Sequence, residues 1–195
     1  MAVPAGTVSS LTVACRLRVD VAVADAQRVL TALPEGADSP FAVSDRTHFA
    51  RLQIISAITA HRRRPLDAGV LILSADVDGD ARAYLVDLLS GAGTVLAPVL
   101  ALCDGAPADA AAPEFIDAGT AYLLARRIRI GLVYANSPGR SAAEITLAVE
   151  RHRRLAGFAL GHQALAAAGD EASLADLRRS FLAVFPCAPA PAPAS

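Results

Sequence analysis

The sequence predicts an α+β fold. Three patterns carry that expectation: an alternating strand near the start, an apolar hairpin in the first half, and helix-spaced stretches between and after them. In residues 10–20, Leu11, Val13, Cys15, Leu17 and Val19 alternate with Thr12, Ala14, Arg16 and Arg18. A period of two puts these sets on opposite faces of a sheet, so a half-buried strand is expected. From Thr47 to Asp80 two apolar runs flank His61-Arg62-Arg63-Arg64-Pro65. The basic run is expected as a solvated turn, and Ala68 to Ala75, nearly all apolar, as a central strand covered on both faces.

The other elements follow in order. Residues 22–33 hold Val29, Leu30 and Leu33 at helical spacing and stop at the breakers Pro34-Glu35-Gly36. A loop over 36–45 is expected to lay Pro40 and Phe41 over an edge of the hairpin. Asp78 or Asp80 is placed to cap a helix over 81–89, since a carboxylate there satisfies free N–H groups and the helix dipole. After an Ala/Pro/Asp loop at 103–113, residues 114–125 read as helix and 127–135 as a fourth strand, with Arg127 and Arg129 opposing Ile128 and Ile130. Ser141 and Glu144 have capping-box spacing and open a helix reaching Ala168. A last helix over 173–184 precedes a Pro/Ala tail, expected to be disordered. Residues 1–9 read as a loose start, 10–185 as one domain and 186–195 as the tail.

Composition excludes several function classes. A net charge of -1 and a pI near 6.4 argue against a nucleic-acid footprint, which needs a basic face. All 18 basic residues are arginine. Without lysine there is no Schiff-base chemistry and no Walker phosphate loop. The cysteines Cys15, Cys103 and Cys187 are odd in number and widely spaced, which suggests neither a disulfide framework nor a thiolate zinc site, and a reducing cytoplasm is expected. The start lacks the basic region of a secretory signal, and no apolar stretch reads as the roughly 18 residues of a membrane span. Asp76-Val77-Asp78-Gly79-Asp80 lacks the ligand spacing of a calcium loop and reads as turn and cap. No serine-hydrolase or zincin motif occurs, and no metal site is expected.

The order strand, helix, strand, strand, helix, helix, strand, C-terminal helix contains the split βαββαβ of a ferredoxin-like sandwich with additional C-terminal helices. Helices then cover one sheet face. Arg16, Arg18, Arg51, Gln53 and Arg127 or Arg129 are expected on the other. Over about residues 10 to 165, the order and these half-polar strands resemble the dimeric α+β-barrel superfamily, in which two ferredoxin-like units pack sheet against sheet around a ligand cavity. The resemblance implies a homodimer and two chemistries. One is that of cofactor-free polyketide cyclases and small monooxygenases. The other is that of haem proteins such as dye-decolourising peroxidases, whose GxxDG motif has its nearest counterpart here in Ala75 to Gly79, with alanine in place of the first glycine. A haem protein of this kind needs an axial helix histidine, for which His152 and His162 are the candidates.

The residues suggest a small-molecule enzyme of the cyclase, isomerase or small oxygenase type. Arg16, Arg18 and Arg51, with Arg129, would hold an anionic or carbonyl oxygen through the planar guanidinium fork. Gln53 would orient a carbonyl, and His48 or Tyr134 would move a proton. In a regular strand His48 shares the parity of Ala50 and Leu52, away from Arg51; a bulge at Thr47 would change its side. His152 lies on an apolar helix stripe with Ile145, Val149 and Leu155, the pattern of a core histidine, or of a ligand if haem binds. A non-catalytic dimeric ligand-binding module, its arginines paired across the interface, is the remaining alternative. No cofactor is needed for the first reading.

Overall fold

The computed structural model describes residues 8–60, 62–129 and 139–185, with side chains excepted over 57–67. These residues form strand β1 (Val8–Arg16), helix α1 (Val23–Thr31), strands β2 (Thr47–Ala60) and β3 (Arg62–Asp78), and helices α2 (Ala81–Leu100) and α3 (Phe115–Ala125). Strand β4 (Arg127–Ile128) and helices α4 (Ala142–Gly161), α5 (Gln163–Ala168) and α6 (Glu171–Val184) follow. The described residues fall into two compact units, one up to Ile145 and one from Thr146.

The first unit is an α+β assembly on a four-stranded sheet of order β2-β3-β1-β4. Every neighbouring pair is antiparallel. The alternation in β1 is realised as expected. Leu11, Val13, Cys15 and Leu17 are buried, whereas Thr12 and Ala14 are half-buried and Arg16 and Arg18 exposed. Leu71, Leu73, Ala75 and Val77 of β3 join the same buried face. Their alternates Ile72, Ser74 and Asp76 are only half-buried, so β3 is central in the sheet but packed by helices on one face.

The hairpin is longer than the sequence suggests. Pairing continues to Ala60 opposite Arg62, and Arg62 to Pro65 lie in β3 opposite Ala57 to Ala60 rather than in a turn. Beyond Val70, the partner of Arg16, β1 has ended and the two strands continue as a ribbon.

Helix α2 is the centre of the core. It runs on past Leu89 to Leu100, capped by Asp80, whose side chain accepts from the backbone N–H groups of Arg82 and Ala83 at 2.9 and 3.1 Å. Tyr84, Leu85, Leu88, Leu89, Ala92, Leu96, Val99 and Leu100 form its buried stripe at helical spacing. Gly93 lets α3 approach: a Cβ there would stand 2.9 Å from the Phe115 ring. Contrary to the sequence reading, this helix is long and apolar enough to cross a membrane, with 56% of its most apolar 18-residue window buried inside the fold. The run is broken by Ser90, Gly91, Gly93, Thr94 and Pro98, which hides its length from a search for uninterrupted apolar residues.

Tyr84 is fully buried, and its hydroxyl makes no well-formed hydrogen bond among the described residues, although Thr47 is a neighbour. Burial holds its phenol above the ordinary value of 10.0, with Thr47 pulling the other way. A raised folded-state value means this contribution to stability is complete below pH 10 and is lost as pH climbs further, where the unfolded chain ionises first. Tyr84→Phe is therefore expected to be neutral, or stabilising by up to about 1 kcal/mol at pH 7. It should also reduce the fall in stability above pH 10. Urea unfolding at pH 7 and pH 10.5 checks both; a loss above about 1 kcal/mol at pH 7 would mean the hydroxyl has a partner.

The second unit is helical. Phe158 stacks on His162 at 4.1 Å and meets Phe181 and Phe185 edge-on, and Arg154 donates to the Val184 carbonyl at 2.9 Å. The long helix expected to reach Ala168 is interrupted at His162, just after Gly161, a weak helix former. Asp170 caps α6 through the backbone N–H and hydroxyl of Ser173.

Candidate functional site

The sheet face away from α2 brings together His48, Arg51 and Gln53 of the polar residues singled out in the sequence. It is built at the start of β2. Thr47 pairs with Val77, yet Phe49 pairs with Asp76, so two residues on β2 face one on β3. His48 is the extra residue of this bulge. The irregularity turns it from the side of Ala50 and Leu52 to the open face, which a regular strand would not do. There His48 Nε2 lies 2.8 Å from Asp78 Oδ1. The other oxygen, Oδ2, accepts the Ala142 backbone N–H at 2.7 Å, in the first turn of α4. The expected capping box is formed beside it, with Ser141 N donating to Glu144 Oε2 at 2.8 Å and Glu144 N to Ser141 Oγ at 3.1 Å. Asp78 thus does not cap α2, a role that falls to Asp80; it joins the bulge to the start of α4.

Both side chains of the pair are largely covered, at 17% exposure for His48 and 14% for Asp78. An ionised Asp78 selects the tautomer with the proton on Nε2 and leaves Nδ1 as the acceptor. Nδ1 has no partner among the described residues. Beside the pair, Asp76 takes the Ser10 hydroxyl, and Phe49 stands 51% exposed. Arg51, one pairing position beyond Phe49 on the same face and opposite Ser74, is exposed and has no ion pair among the described residues. Gln53, half-buried opposite Ile72, continues the row.

The other arginines do not converge on this point. Arg16 is level with Val70 and Ile55, four residues along β2 from Arg51 and two strands across. At about 3.4 Å per residue and 4.8 Å per strand, the two Cα atoms are about 17 Å apart, so the two guanidinium groups rise from separate parts of the face. Arg18 lies past the end of β1, paired with Asp20 at 2.5 Å and donating to the Ala101 carbonyl at 3.1 Å, so its fork is already used near the C-terminus of α2. Arg129 is exposed just beyond β4. Tyr134 lies outside the described residues. His152 is exposed on α4, where Val149 and Leu155 are also 43% and 47% exposed, so the apolar stripe expected to bury it is not a core face. His162 Nδ1 is close to the Phe158 carbonyl at 2.9 Å and its ring is stacked, which leaves Nε2 for any ligand.

No protein-family model, curated protein or solved structure matches the chain. The reading of the site therefore rests on its own geometry.

Sequence reasoning missed the partner of His48. Asp78 was read as turn and cap, and only the bulge, a property of two paired strands, reveals its second role. Among the described residues no group of three or more His, Cys, Asp or Glu side chains could hold a metal ion. On the covered side of the sheet, an apolar cleft runs between β3, α2 and α3, with Cys15, Leu71, Leu73, Leu88, Leu96 and Leu123 in its wall. Its free volume is small, about 30 Å³.

Proposed function

We propose that the chain is a small-molecule enzyme that moves a proton on a metabolite bearing an anionic or carbonyl oxygen, with His48 as the proton carrier and Arg51 as the oxygen anchor. The bulge carries this reading, because it puts His48 against Asp78 on the same sheet face as Arg51. Asp78 orients the imidazole and compensates the imidazolium formed when Nδ1 takes a proton. Negative charge developing on the substrate oxygen would meet the Arg51 guanidinium, and Gln53 would hold a second polar atom. Proton abstraction beside a carbonyl, as in an isomerisation or cyclisation, uses these groups and needs no lysine.

The antiparallel order β2-β3-β1-β4, with α1 between β1 and β2 and α2 and α3 between β3 and β4, supports a ferredoxin-like sandwich. Phe49, Ile55 and Ile128 are 51%, 37% and 46% exposed, which supports cover of the open face by a second copy in the manner of a dimeric α+β barrel.

The test is a thermal-shift screen of short aliphatic and aromatic carboxylates and keto acids. A ligand that raises the melting temperature should bind Arg51→Ala about 30- to 100-fold more weakly, the loss of one charge-assisted contact. Arg18→Ala should bind it normally. Solvent deuterium should enter the bound ligand beside its carbonyl, and His48→Gln should stop that exchange while binding persists. If Arg51→Ala instead dissociates a dimer and leaves binding intact, the arginine belongs to an interface and the enzyme reading fails.

A further inference from the structure

Asp78 is held at three points, one of which belongs to a helix. Its backbone N–H donates to the Arg46 carbonyl at 2.9 Å, just before the chain turns at Gly79, whose φ is 80°. Its side chain meets His48 Nε2 at 2.8 Å through Oδ1 and the Ala142 backbone N–H at 2.7 Å through Oδ2. With the backbone fixed, these two partners set the direction of the carboxylate. Loss of either opens other rotamers to it. His48 has no other side-chain hydrogen bond among the described residues, so the direction of the carboxylate sets the imidazole.

Ala142 is the first residue of α4, where no carbonyl within the helix accepts an N–H. It is 8% exposed, which leaves water little room to replace Asp78 as its partner. The capping box sets where that N–H stands. Ser141 N donates to Glu144 Oε2 at 2.8 Å, Glu144 N to Ser141 Oγ at 3.1 Å, and Ile145 N to the Ser141 carbonyl at 3.0 Å, which together close the first turn. A frayed turn would carry the Ala142 N–H away from Asp78.

We propose, resting on the reading of His48 as proton carrier, that Ala142 is a positioning residue for it. The Ala142 N–H, placed by the Ser141–Glu144 box, holds Asp78 so that the imidazole keeps its proton on Nε2 and presents Nδ1 as the base. Helix α4 thus acts on the site through its main chain. A change at Ser141, which makes no hydrogen bond to His48 or Asp78 among the described residues, is felt at the imidazole.

The full chain, isotopically labelled on its histidine ring nitrogens, tests this without a substrate, because long-range proton–nitrogen correlation spectra read the tautomer of each imidazole. The chain has four histidines, and His48 is assigned by the signal lost in His48→Gln. Wild-type protein should show His48 wholly as the Nε2–H form. Ala142→Pro removes the N–H yet suits the first position of a helix. It should turn His48 into a mixture of tautomers and leave His152 and His162 as they were. Ser141→Ala keeps the N–H but loosens the turn, and should do the same to a smaller extent; Ser141→Thr, which retains a capping hydroxyl, should restore the wild-type signal. Asp80→Ala loosens α2 instead and should leave His48 unchanged. An unaltered His48 in Ala142→Pro or in Ser141→Ala would overturn the proposal, as would an equal change in Asp80→Ala, since the tautomer would then follow any loss of stability. Where Ala142→Pro does not fold, Ser141→Ala and its threonine rescue decide. The proton-transfer reading fails separately, if wild-type protein with the expected tautomer brings no solvent deuterium into 2-oxobutyrate or phenylpyruvate beside the carbonyl.

Discussion

Asp78→Ala is expected to destabilise the chain by about 2–4 kcal/mol and to abolish any proton exchange that depends on His48. Both oxygens are engaged, Oδ1 with His48 Nε2 at 2.8 Å and Oδ2 with Ala142 N at 2.7 Å, and the carboxylate is only 14% exposed. Truncation leaves two largely covered polar groups without a partner, and each such group costs roughly 1–3 kcal/mol. It also removes the negative charge beside the start of α4, where the helix dipole favours an anion. Asp80→Ala is the control. Asp80 caps α2 from an exposed position, so its loss should cost nearer 1 kcal/mol and leave His48 chemistry intact. Urea unfolding of the two variants separates them. Equal losses would mean that the His48–Asp78–Ala142 link contributes nothing beyond an ordinary cap.

Leu85→Ala is expected to cost about 3–4 kcal/mol, the usual range for a fully buried leucine whose surroundings cannot collapse into the space left behind. Leu85 is 0% exposed on α2, with Tyr84, Leu88 and Leu89 buried beside it, against a sheet face already filled by Leu11, Val13, Leu73 and Val77. The collapse is further limited because the helix is held at both ends, by the Asp80 cap and by the Arg18 contact to Ala101. Val95→Ala, on the same helix but 39% exposed, should cost less than about 1 kcal/mol. Similar losses for the two would show that α2 does not present this face to the sheet.

The sequence by itself determined the features that are local. The alternation of β1 sorted its two faces because successive side chains on a strand point oppositely whatever lies beyond them. The Ser141–Glu144 box was legible for the same reason, since a cap joins groups three residues apart. The α+β class followed from the order of such segments.

Tertiary structure alone decided where those faces meet. A bulge is a mismatch between two strands, so no pattern within β2 could show that His48 turns toward Asp78 rather than following Ala50. Strand register separated Arg16 from Arg51, which share a face but not a neighbourhood. Helix α2 runs past Leu89 to Leu100, and at Gly93 it makes room for Phe115 of another helix, a close approach that no local pattern shows. Leu17 and Cys103 are bridged because the chain after α2 returns beside the end of β1, a pairing that neither segment shows by itself. Periodicity and capping are set by sterics over a few residues; register, bulges and close approaches are set by which distant segments pair, and that is decided only when the core closes.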